Sequence, residues 1–153
     1  QLDKTGQFIE SFIQMISEIA KNVGDEYSVF IKPHVLSDLD FLQKCVLDGI
    51  GEYKMKYILT KLHPSVLASR AAMSFFVGNS TVIREISNLK VPIIQCLYGF
   101  DNKGVLAKAS DKANYIMTKK DGDLSKIINK LILAKYSPVV FTKRKNNIDC
   151  SFF

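Results

Sequence analysis

The chain has no tryptophan and, among 153 residues, only three cysteines, two histidines, four prolines and eight glycines. So little proline and glycine, with no repeat, excludes a collagen-like or low-complexity chain. Cys45, Cys96 and Cys150 lie far apart, are odd in number and show no Cys-x-x-Cys spacing. That excludes a disulfide scaffold and a structural zinc ribbon, and it points to a reducing compartment. His34 and His63 have no matching carboxylate or thiol cluster, so no dedicated metal site is expected. No apolar run approaches the ~20 residues of a membrane span. The amino terminus carries no signal-peptide pattern. No basic stripe alternates with aromatics, which sets nucleic-acid binding aside.

What is present is ordinary globular material, 47% hydrophobic and 24% charged, long enough for one domain with a real core. The net charge is +6, carried in part by Lys119-Lys120 and Lys143-Arg144-Lys145. It favours an anionic partner (a nucleotide, an anionic glycan or a phospholipid surface) and allows for peripheral membrane association. The alternative is a solvated basic surface.

Periodicity predicts alternating helices and strands. Residues 5 to 23 form an amphipathic helix through Phe8, Phe12, Ile16, Ile19 and Val23, capped by Asp3 or Thr5 and stopped by Gly24. A strand over Tyr27 to Ile31 ends in Lys32-Pro33-His34. Ser37-x-x-Asp40 reads as a capping box for a helix with Leu39, Leu42, Val46 and Leu47 on its apolar side, ended by Gly49 and Gly51. A strand over Met55 to Leu59 follows, then a helix opening at Pro64 through Val66, Leu67 and Ala71. Further strands are expected over Met73 to Val77, Val91 to Leu97 and Tyr115 to Thr118. A loop covers Tyr98 to Gly104, a weak helix Val105 to Ala113, and a last helix runs over Leu124 to Ile132. This alternation predicts an α/β fold: a Rossmann-like parallel sheet with helices on both faces. Residues 1–137 are expected to form the domain and 138–153 a basic tail. Because the first element is a helix, a strand preceding it is expected to be missing.

The stretch with chemistry in it is Met73-Ser-Phe-Phe-Val-Gly-Asn-Ser-Thr-Val-Ile-Arg-Glu-Ile86. A buried strand breaks at Gly78-Asn79, and Ser80 or Thr81 caps a helix through Val82, Ile83, Ile86 and Leu89. Free backbone N–H groups and two hydroxyls at the carboxyl edge of a parallel sheet make an anion site. Ser and Thr are also ordinary caps, and most such junctions bind nothing.

Taken in order, Phe30-Ile-Lys-Pro-His34, the Gly78-Asn-Ser-Thr81 turn, Glu85 and Leu89-Lys-Val-Pro-Ile-Ile94 resemble the carboxy-terminal, nucleotide-sugar-binding half of a GT-B glycosyltransferase. More narrowly, the chain is similar over residues 7 to 134 to bacterial sialyltransferases and polysialyltransferases. These have a Lys-x-His-Pro-type motif after one strand and a Ser-Ser or Ser-Thr pair at a helix start. CDP-glycerol-type polymer transferases and sugar-nucleotide 2-epimerases share much of the pattern. The resemblance implies that Ser80 and Thr81 hold the donor phosphate and that Gly78 and Asn79 shape the turn. It makes His34 the phosphate histidine, Lys32 a further charge, and Glu85 an acceptor for ribose or sugar hydroxyls. Gln95, Tyr98 and Asn102 are placed to border the base or sugar.

The resemblance further implies a nucleotide-sugar donor as substrate with no resident cofactor or metal, a glycan acceptor, and a separate amino-terminal acceptor domain. The setting would be cytoplasmic, at the inner face of a bacterial membrane, in surface polysaccharide or lipooligosaccharide synthesis. Two departures stand out. Val35 follows His34 where the family has proline, whereas Leu62-His63-Pro64 has the His-Pro pair at the next helix. Asn79 replaces a hydroxyl residue. Alternatives are a sugar-nucleotide epimerase or hydrolase, a CDP-glycerol-type transferase, and a non-catalytic α/β interaction domain with a basic face.

Overall fold

A computed structural model of the chain describes residues 2–34, 37–78, 81–89, 91–96, 115–118, 123–135 and 147–152. The elements run α1 (Leu2–Val23), β1 (Ser28–Lys32), α2 (Leu39–Ile50), β2 (Lys56–Leu59), α3 (Pro64–Arg70), β3 (Met73–Val77) and α4 (Val82–Ile86). After these come β4 (Ile93–Cys96), β5 (Tyr115–Thr118), α5 (Asp123–Lys135) and β6 (Asn147–Phe152). The six strands form one sheet in the order β2-β1-β6-β3-β4-β5. Every pairing in it is parallel. The chain is therefore an α/β protein with a Rossmann-like parallel sheet, as its alternation predicts.

Two apolar clusters lie on opposite faces of the sheet. Met73, Phe75 and Val77 of β3 and Ile94 and Cys96 of β4 join α1, α2 and α5. The intervening Phe76 and Ile93 join Ala68 of α3 and Ile83 and Ile86 of α4. All five β3 residues are buried, as a central parallel strand with both faces covered requires. The exposed-and-intermediate alternation of β2 is that of an edge strand. Steps toward β2 and from β5 back to β6 use the α2 and α5 face, while steps from β2 to β3 and β3 to β4 use the α3 and α4 face. All these crossovers thus share one hand, as parallel sheets demand.

Local chemistry explains the boundaries. α1 buries Phe12, Met15, Ile16, Ile19 and Val23 at helical spacing and stops at Gly24, whose φ is 57°. It is already helical at Leu2, so neither Asp3 nor Thr5 caps it. α2 is capped by Asp38 rather than Ser37: its Oδ1 accepts from the Asp40 and Phe41 N–H groups at 3.1 and 3.2 Å. The buried side of α2 is Leu42, Cys45, Val46, Gly49 and Ile50. Leu39 and Leu47 are 46% and 53% exposed, so the expected apolar side is rotated by about one position. Gly51, at φ 55°, ends the helix. Gly49 lies inside it, and a Cβ there would stand 2.8 Å from Ile16 Cβ, so glycine brings α1 and α2 into close contact. Val66 of α3 is likewise exposed, while Leu67 and Ala68 are buried and Ala68 packs with Phe76 and Ile93 of the sheet. Cys45 and Cys96 are free and buried, as core residues.

The largest departure concerns the end of the chain. Residues 147–152 are not a tail but the strand β6, paired to β1 on one side and β3 on the other. β6 occupies the centre of the sheet, between β1 and β3. The polar pattern of Asn147, Asp149 and Ser151 hides it, because central parallel strands normally read as apolar runs. The Tyr98 to Gly104 loop, the Val105 to Ala113 helix and the basic clusters Lys119-Lys120 and Lys143-Arg144-Lys145 lie outside the described residues.

Candidate functional site

All six strands are parallel, so their carboxyl ends share one edge, and the chain departs from the sheet centre in opposite directions there. From β1 it moves outward to β2, and from β3 outward to β4 and β5. Such a reversal opens a crevice at the carboxyl edge.

On the β1 side, Lys32 ends the strand and its Nζ donates back to the Pro33 carbonyl at 3.2 Å. Pro33 is buried and His34 half-buried. The Ser37 N–H donates to the His34 carbonyl at 2.9 Å. This closes the turn that delivers the chain to the Asp38 cap.

On the β3 side, Gly78 has φ 69°. A left-handed residue there sends the chain sharply off the strand, and only glycine adopts it without strain. The Gly78 N–H donates to the Cys96 carbonyl at 3.0 Å. Its carbonyl accepts from the Gln95 side-chain amide. The Tyr115 hydroxyl in turn donates to Gln95 Oε1 at 2.6 Å. Gln95 is fully buried, so both ends of its amide are satisfied inside the protein and the Gly78 peptide is held from beneath. Burial pushes the Tyr115 hydroxyl up to about 12, which keeps it a donor through the physiological range.

Gln95 therefore does not border a ligand as expected; it braces the turn. The signal in the sequence was a lone amide inside the apolar run Val91 to Leu97, since a buried amide needs partners. Tyr115 carried no comparable signal.

Beyond Gly78, Asn79 and Ser80 lie outside the described residues, as do Tyr98 and Asn102. Thr81 is exposed and precedes α4, but its backbone is helical (φ −67°, ψ −24°) and its hydroxyl makes no capping bond. An N-cap needs an extended residue to aim its oxygen at the following N–H groups; Thr81 instead accepts from the Arg84 N–H through its carbonyl, at 3.1 Å. Of the two caps expected, Ser80 or Thr81, Thr81 is therefore not one, and Ser80 lies outside the described residues. The helix is also shorter than expected: it ends at Ile86, before Leu89. Five residues rise only ~7.5 Å, so the opposite dipole end lies close and most of the macrodipole's benefit cancels. Glu85 is exposed on α4.

Register relates the two sides. Lys32 pairs with Ser151, and Ser151 pairs with Phe76. Lys32 and Phe76, toward the ends of β1 and β3, are therefore level and two ladder spacings apart, ~10 Å; His34 and Gly78 each follow two residues further along the chain. His63 follows the outer strand β2, three spacings from β3. It is exposed and caps α3, with Nδ1 facing the Ser65 N–H at 3.3 Å and the Ser65 hydroxyl at 2.7 Å. Of the two histidines, His34 follows the strand nearer to β3, and His63 is committed to a helix start.

Among the described residues no group of three His, Cys, Asp or Glu side chains could hold a metal ion, and no helix is long and apolar enough to cross a membrane. Comparison with family models, curated proteins and solved structures finds no match for this chain.

Proposed function

We propose that the chain is the donor-binding part of a glycosyltransferase and holds the phosphates of a nucleotide-sugar in the carboxyl-edge crevice between His34 and the Gly78 turn. The observation that carries this reading is the level register of the β1 and β3 ends that lead into those two turns, on either side of the point where the chain reverses direction. A phosphate bridging them would meet N–H groups and the Ser80 and Thr81 hydroxyls on one side. On the other it would meet the imidazole, with Lys32 adding positive charge. His34 then supports departure of the nucleotide by placing a proton or positive charge on the leaving phosphate. Glu85, one turn along α4, accepts from a ribose or sugar hydroxyl. The resemblance favours a CMP-sialic acid donor and a surface glycan acceptor, with the group that activates the acceptor hydroxyl supplied by another domain.

Thermal-shift titration with CMP, CDP, UDP and their sugar conjugates tests this. A ligand at a hundred times its dissociation constant stabilises by ~2.7 kcal/mol, a shift of roughly 5–10 °C for a domain of this size. A shift confined to cytidine nucleotides supports the sialyltransferase-like reading; a shift with UDP alone moves the donor to a hexose nucleotide. Replacing Ser80 and Thr81 together by alanine is expected to weaken binding about tenfold or more, a loss of ~1.4 kcal/mol. An unchanged dissociation constant in that variant rejects the proposal.

A further inference from the structure

A second feature lies in the helix layer on the same edge. α1 and α2 run side by side, and their closest approach is at Gly49, where Ile16 and the Ile13 carbonyl leave no room for a Cβ. Toward their amino-terminal ends a cavity of about 170 Å³ opens between them, lined by Phe8, Ile9, Phe12, Phe41, Leu42 and Cys45, with Ser37 and Asp38 at its rim. The close contact at Gly49 opposes collapse of the helices onto this space.

We infer that this cavity is a binding pocket for one uncharged aromatic ring or short alkyl group of a small molecule. Three observations select that class. The volume slightly exceeds the ~150 Å³ at which an apolar cavity lined by Leu, Ile and Phe takes up benzene. Six of its eight lining residues are apolar or a thiol, and that thiol is held protonated: burial, then Asp48, pushes the Cys45 thiol up. The charged side chain on the wall is the Asp38 carboxylate, which repels a carboxylate or phosphate entering at the same mouth and leaves neutral groups favoured. Phe41 is 48% exposed, so one wall is a ring that reaches the surface. The inference is independent of nucleotide binding, since none of the lining residues belongs to the crevice between His34 and Gly78.

The test is a methyl-resolved NMR titration of the whole chain with indole and with benzene, using imidazole as a polar ring of similar shape. Saturable shifts of the Ile9 and Leu42 methyls with indole and benzene, and none with imidazole, are expected. Bound indole is also expected to slow the reaction of Cys45 with an uncharged maleimide. Phe41→Ala removes an exposed wall without opening the core, and it is expected to weaken indole binding about tenfold, equivalent to ~1.4 kcal/mol. The inference is overturned if the lining methyls do not shift up to the solubility limit, if imidazole shifts them equally, or if Phe41→Ala binds indole like the parent.

Discussion

Gly49→Ala places two opposing effects on one position, and the structure decides which wins. Alanine in a helix interior is favoured over glycine by ~0.8–1 kcal/mol. At residue 49 the new methyl would stand 2.8 Å from both Cβ and Cγ2 of Ile16 and 3.0 Å from the Ile13 carbonyl oxygen. Neither Ile16 Cβ nor a helix carbonyl moves by a rotamer change, so α1 and α2 must separate. Overpacking of this kind costs ~1–3 kcal/mol, and separation also loosens the Ile16 and Val46 packing between the helices. The overpacking cost less the propensity gain leaves a net loss of up to ~2 kcal/mol, lowering Tm by up to ~8 °C. Gly6→Ala is the matched control: Gly6 sits in α1 with nothing within 4 Å of its would-be Cβ. There the propensity gain is unopposed and a rise of up to ~1 kcal/mol is expected. Urea unfolding of both variants at constant m-value measures the pair. A Gly49→Ala chain stabilised as much as Gly6→Ala would refute the tight α1–α2 crossing.

Three further outcomes follow from the same geometry. Gln95→Leu leaves the Gly78 carbonyl and the Tyr115 hydroxyl without their partner, at ~1–3 kcal/mol for each buried group, whereas Tyr115→Phe strands only one amide oxygen; urea midpoints should therefore fall further for Gln95→Leu. Burial raises the Tyr115 pKa from 10.0 to about 12 in the folded chain; the stability it contributes is complete below pH 10 and lost as the pH rises toward 12, and in an absorbance titration Tyr115→Phe should remove a late phenolate step. Ending the chain before Asn147 removes the strand that joins β1 to β3 and should abolish cooperative unfolding; hydrogen exchange on the whole chain should find β6 amides among the protected ones.

The helices and strands were legible where one period dominated. β3 and β5 match their expected bounds because each is a short apolar run between turn residues. α1 follows its apolar stripe, and Gly24 ends it as expected. The face of α2 was misread by one position because Leu39 and Leu47 are apolar yet solvent-facing, and periodicity counts them as core. Gly49 looked like a stop, but its role is a helix crossing that depends on Ile16, 33 residues away in the sequence. β6 was invisible because its alternating polar residues do not read as the apolar run of a central parallel strand, and its place is set by pairing with β1 and β3, far off in the sequence. At the crevice, the strand ends at Lys32 and Val77 could be read locally. The brace from Tyr115 through Gln95 to Gly78 could not, since it links β5, β4 and the end of β3 through tertiary contact.

The central claim is that phosphate binds between the turns after β1 and β3, and amide NMR mapping with CMP, CDP and UDP tests it most directly. The account predicts saturable shifts at Gly78, Thr81, Lys32 and His34, with the α5 amides unmoved. Shifts confined to other surfaces, or no shift at any of these four residues with nucleotide in excess, would contradict it.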